Sequence, residues 1–154
     1  MAFHITQFAA LSLLFLLSGV FWGSWLSIGR SFHEFPLSEF VHIAQIINRN
    51  LGVSMRIIAV PCIVLMVVCA CLLPQRTLAE SILYPCSVFL AVSALLITVL
   101  IEVPMNNKII TWTTDSAPLN WKAIQKRWQL YNDIRTLISL LSFLIFTALS
   151  LKLF

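Results

Sequence analysis

Four stretches of this chain stay apolar for about the 20 helical residues that a hydrocarbon core requires: Gln7–Ile28, Gly52–Leu73, Ser81–Val103 and Ile134–Leu151. Isolated strands would leave backbone groups unpaired in lipid, and no ten-residue alternation of the barrel kind is visible. The pattern predicts an all-α transmembrane four-helix bundle. Two spans are entered through helical patterns of a more polar kind. Before the second, Phe35-Pro36-Leu37-Ser38-Glu39 reads as a helix start with Ser38 as its cap, which predicts a short amphipathic helix there. If that helix runs on, His42, Gln45, Arg49 and Arg56 share one face, and Gly52 and Pro61 are the places where it bends or breaks. Before the fourth span, Trp121, Gln125, Trp128, Asn132, Arg135 and Ser139 recur at three and four residues. They predict a helical extension with one long stripe that enters the membrane.

Composition agrees with the spans and removes other classes. The 154 residues are 60% hydrophobic and 10% charged, with a mean hydropathy of +0.94. So few charges cannot solvate a globular surface, and the chain reads as one integral membrane domain over residues 1–154. The first span is read as retained and not as a secretory leader, because no Lys or Arg precedes Arg30 and Ser18–Trp22 is a poor cleavage site.

The net charge of +4 is unevenly placed. Arg30, Arg49, Arg56, Lys108, Lys122, Lys126, Arg127 and Arg135 belong to the first and third connections and their flanks, against Arg76 and Lys152 on the other side. Under the positive-inside rule the long connections face the cytoplasm and both termini lie outside, in a plasma or inner membrane. Charge thus serves topology, and nucleic-acid binding has no place in the reading. The expected partners are membrane lipids and an apolar small molecule, with a homo-oligomer left open.

Small and sulfur-bearing residues carry less. Gly19, Gly23 and Ser27 make a small-xxx-small stripe, read first as packing inside one subunit and second as a dimer seam. Trp22 and Trp25 fit an interfacial belt. Cys62, Cys69, Cys71 and Cys86 lie in or beside apolar spans, where a thiol packs as a small hydrophobe, and none forms a Cys-x-x-Cys pair. His4 and His33 are isolated, so no metal site is expected.

Glu102 is the candidate centre. It ends an apolar run and is followed by Pro104, Asn106 and Asn107. An ionised carboxylate costs roughly 2.5–3.5 kcal/mol at the middle of a membrane helix and less near an interface, so it needs a partner, a proton or water. Pro104 removes the donor for the Leu100 carbonyl, which predicts a kink or an end there. Glu102, Asn106, Asn132, Arg135, Trp128 and His42 are expected to converge at one end of the bundle. Two readings stay open. In one, they line a pocket between helices. In the other, Glu102 pairs with Arg135 or Arg56 and the cluster only fixes the bundle.

Three stretches carry a resemblance: Gly19-Val20-Phe21-Trp22-Gly23, Val103-Pro104-Met105-Asn106-Asn107-Lys108-Ile109, and Trp128-Gln129-Leu130-Tyr131-Asn132-Asp133-Ile134-Arg135. Together they look like the domain-of-unknown-function membrane family that includes the fungal anthrone oxygenases. The resemblance implies four spans and, for the characterised branch, oxygenation of a polycyclic anthrone to a quinone without a cofactor. Asn106, Trp128, Asn132 and Arg135 are the matching positions.

Chemistry can be assigned to that set. Glu102 would act as the general base on an acidic C–H of a flat apolar anthrone- or quinol-like substrate. Arg135, Asn106 and Asn132 would stabilise the resulting oxyanion, while Trp128, His42 and Asn107 would contact the substrate. Apolar surroundings disfavour the ionised acid and a guanidinium favours it. From other classes, a proton-coupled transporter using Glu102, or a non-enzymatic membrane subunit, also fits the composition. Against the transporter, the acid lies near one face and no inverted repeat is visible.

Overall fold

The computed structural model describes residues 2–72 and 77–153. Helix α1 runs Ala2–Ser27, α2 Leu37–Leu72, α3 Leu78–Ile97, α4 Val103–Ile109 and α5 Trp121–Ser150. A 3-10 turn, Gly29–Glu34, joins α1 to α2, and a π turn, Thr98–Glu102, joins α3 to α4 without a break. The four long helical units are each apolar enough to cross a membrane, and the protein is a transmembrane four-helix bundle.

The helices run up and down in chain order. Helix α1 packs on α2 and α5, and α3 packs on α5 and α2, which closes a square. Its core falls into layers. The end that holds the N-terminal half of α1 buries Ala10, Leu14, Cys62, Met66, Cys69, Tyr84, Ala91, Phe146 and Leu149. Leu17, Phe21 and Ala59 fill the middle. At the far end Phe32, Phe40, Val41, Ala44, Ile109 and Trp128 pack together. Lipid tails are as apolar as these side chains, so close packing and hydrogen bonds between helices must hold the bundle. Gln7 donates to the Tyr84 hydroxyl at 2.8 Å, Ser18 to the Ser139 carbonyl at 3.1 Å and Ser142 to the Ser87 carbonyl at 2.8 Å.

The helix boundaries differ from the predicted ones for local reasons. The amphipathic helix before span two does not end at Gly52 or Pro61: α2 is one helix through both. Ser38 lies inside its first turn and is not its cap, since the Phe40 N–H already bonds the Pro36 carbonyl at 3.0 Å. Leu73 and Arg76, which entered the span and charge readings, lie outside the described residues. Helix α3 starts earlier than predicted, on a capping box in which Thr77 accepts from the Glu80 N–H and Glu80 accepts from the Thr77 N–H.

Two packing expectations are corrected. Gly19, Gly23 and Ser27 face outward, and a Cβ added at either glycine would meet nothing within 4 Å. The stripe therefore does not pack inside the subunit. Arg56 is exposed and donates to the Gly52 carbonyl of its own helix at 2.9 Å, so it is not a partner of Glu102.

Candidate functional site

Pro104 shapes the element that carries Glu102. It has no N–H for the Leu100 carbonyl, and the chain answers with a wider turn in which the Val103 N–H reaches back to the Thr98 carbonyl. The kink expected at Pro104 is thus a π turn, after which the helix continues to Ile109. Single π turns of this kind recur at functional sites. Glu102, the last residue of the turn, is 1% exposed.

Helix α5 supplies the partners. Its stripe of Gln125, Trp128, Asn132 and Ser139 is buried as one face, which is the face that the three-and-four spacing predicted. Arg135 forms an ion pair with Glu102 through Nη1. Its Nη2 donates to Asn132 Oδ1 at 2.7 Å, and the guanidinium lies over the Phe21 ring, 4.2 Å from the centroid. One cation thus meets a carboxylate, an amide and an aromatic face, a combination that suits a planar delocalised charge. One rung away, Trp128 Nε1 donates to Asn106 Oδ1 at 2.7 Å, which fixes both side chains.

The pairing is incomplete. Glu102 Oε1 and Arg135 Nε are buried and have no hydrogen-bond partner. Buried polar atoms are nearly always satisfied, so two orphans on the members of one ion pair are exceptional. Three of the cluster's members are closed off, Glu102 at 1%, Asn132 at 3% and Trp128 at 8% exposed, while Asn106 and Arg135 are half-buried. Among the described residues, no three His, Cys, Asp or Glu side chains gather as metal ligands would.

Glu102, Asn106, Trp128, Asn132 and Arg135 are therefore brought together, and two further candidates are not. His42 lies on the α2 face with Gln45, Arg49 and Arg56, and all four are exposed, so His42 is not part of the buried cluster. Asn107 is also exposed, one position beyond Asn106 on a helix that can turn only one of them inward. Sequence reasoning gave no site role to Phe21, which it met only inside the Gly19–Gly23 stretch, and missed Gly29 and Phe32. They come from α1 and the turn after it, about a hundred residues from their partners, and nothing nearby in sequence tells what they meet.

A second polar group flanks the first. Asp133 accepts from Trp25 Nε1 at 3.0 Å and from Gln129 Nε2 at 2.7 Å, and Trp25 stacks on Trp22 at 5.1 Å. Trp25 is thus bonded to α5.

No curated protein and no solved structure matches the chain. The family model described as anthrone oxygenase matches residues 47–145, a stretch that holds Glu102, Asn106, Trp128, Asn132 and Arg135 but neither His42 nor Gly19–Gly23. With most of its length and its whole buried polar cluster inside that match, the chain belongs to the anthrone oxygenase family.

Proposed function

We propose that this protein is a cofactor-independent oxygenase that converts a flat, apolar anthrone- or quinol-like substrate to the corresponding quinone. The observation that carries the reading is the buried Glu102–Arg135 pair, in the region matched to the family, with one carboxylate oxygen left free. A free oxygen on a buried carboxylate can take a proton, and the guanidinium beside it can stabilise the negative charge that forms.

For an anthrone-like substrate the steps balance without an added reductant. Glu102 accepts a proton from the substrate methylene, and the pair of electrons left behind delocalises into the ring ketone as an enolate. The enolate carbon transfers electrons to O2 and bonds to it, giving a hydroperoxide once a proton returns. Loss of the second C–H proton with cleavage of the O–O bond leaves a carbonyl and releases water. One oxygen atom of O2 enters the product and the other leaves as water. Asn132, hydrogen-bonded to Arg135, and Asn106, hydrogen-bonded to Trp128, would orient the polar groups of the substrate.

Purified protein in lipid nanodiscs, given 1,8-dihydroxyanthrone under 18O2, should yield a quinone with one heavy oxygen at a rate above the spontaneous oxidation. A rate equal to that of empty nanodiscs would sink the reading. A proton-coupled carrier would instead show uptake into sealed vesicles with no labelled product.

The same proposal places the strongly basic end, with the first and third connections, in the cytoplasm. Arg30, Arg49, Arg56, Lys108, Lys122, Lys126 and Arg127 are all exposed, as a headgroup-level girdle requires. In a Cys71→Ser background, a membrane-impermeant maleimide should label Asp115→Cys in inverted vesicles and not in intact cells; labelling in intact cells would reverse the orientation.

A further inference from the structure

Glu102, Asn132 and Trp128 are closed off, so a ligand that reaches them must displace something. The 3-10 turn Gly29–Glu34 lies across both halves of the cluster. At one end Gly29 is buried so close to Asn132 that a Cβ would stand 3.3 Å from its Nδ2 and 3.3 Å from the Ser24 carbonyl oxygen. At the other, the Phe32 ring rests on Trp128, with centroids 4.7 Å apart and planes 52° apart. One turn beyond Trp128 on α5, buried Gln125 donates to the Phe32 carbonyl at 2.6 Å.

Three features favour this turn as the element that would move. A 3-10 turn has poorer hydrogen-bond geometry than an α-helix and persists only in short pieces, so it opens more readily than the helices it joins. Trp128 stays in place when the turn leaves, because its indole N–H is bonded to Asn106 on another helix. The side chain that the turn contributes is itself an aromatic ring, 1% exposed, so its departure uncovers an aromatic face.

We propose that Phe32 is a placeholder: the Gly29–Glu34 turn is a strap latched by Gln125, and a planar fused-ring ligand takes the Trp128 face that Phe32 vacates. An oxygen at the ligand's edge then meets the free atoms of Glu102 and Arg135. The strap rests on the reading of this cluster as a ligand site, but not on oxygenation, since a flat ring that cannot react binds in the same way. Phe32 and Gln125 are then specificity-determining and positioning residues. A closed strap lowers the apparent affinity by the fraction of molecules that are open.

The probe is 9,10-anthraquinone, which has no methylene proton to lose. It is titrated into the protein in nanodiscs, with partition into empty nanodiscs subtracted. Phe32→Ala is expected to bind about 10-fold tighter and Gln125→Leu about threefold tighter, as the closed fraction is removed. In the wild type, the amides of Gly29–Glu34 should exchange hydrogen faster with the probe bound. Should Phe32→Ala fail to fold, Phe32→Leu keeps most of the volume without the ring and is expected to move the same way. Equal or weaker binding in Phe32→Leu or Gln125→Leu protein that is folded by its helical circular dichroism, or unchanged or slower exchange in the turn, would overturn the strap. Tighter probe binding without oxygenation of the anthrone keeps the strap and sinks the oxygenase; oxygenation with no response in the variants does the reverse.

Discussion

Arg135→Met is expected to destabilise the folded bundle by about 3–5 kcal/mol, the range for removing one partner of a buried ion pair. The effect is large because Glu102 has nowhere else to turn. Its Oε2 is held by Arg135, its Oε1 has no partner, and the residue is 1% exposed. Methionine fills much of the space over Phe21 but leaves a carboxylate that must take up a proton or draw in water. The double variant Glu102→Gln/Arg135→Met removes both charges and should recover most of the loss, since replacing a whole buried pair by uncharged groups is often neutral. Arg135→Lys should fall between them, because one ammonium cannot present a planar fork to Glu102 and Asn132 while lying flat on Phe21. Melting temperatures in a single detergent check the series. If Arg135→Met melted with the wild type, the pair would not be what holds these helices in register.

Glu102→Gln is expected to lower oxygenation of the anthrone by about 10²- to 10⁴-fold, the usual contribution of a general base. The amide has nearly the shape of the acid and still offers an oxygen to Arg135, so the fold should survive better than in Arg135→Met. What it cannot do is accept the methylene proton. Rates must be compared per folded molecule, with the spontaneous reaction subtracted. A folded Glu102→Gln protein working at the wild-type rate would remove the base from the mechanism and leave the cluster a structural polar knot.

Much of this architecture is legible in the amino-acid sequence. The four spans follow from length and hydropathy, because a backbone in lipid has almost no choice but helix. The α5 stripe was legible too, since a helix repeats every 3.6 residues and Trp128, Asn132 and Arg135 follow that repeat. Periodicity says which residues share a face but not what that face meets. It grouped His42 with Gln45, Arg49 and Arg56 correctly and still misplaced His42, because the face they share is exposed. The glycine stripe of α1 failed in the same way: close approach was possible along it, yet the neighbouring helices packed on Leu14, Leu17, Ser18 and Phe21 instead.

By itself the sequence determined the membrane class, the number of crossings, the cost of Glu102 and the set of polar residues on α5. All of these depend on groups near one another along the chain, or on the solvent the whole chain must meet. Only the tertiary structure decided that Arg135 and not Arg56 answers Glu102, that Pro104 produces a π turn and not an end, and that Phe32 lies on Trp128. Those outcomes depend on which helix faces come together, and in a bilayer the apolar faces compete almost equally. Close packing and a few buried hydrogen bonds break that near-tie, and they exist only once the helices have met.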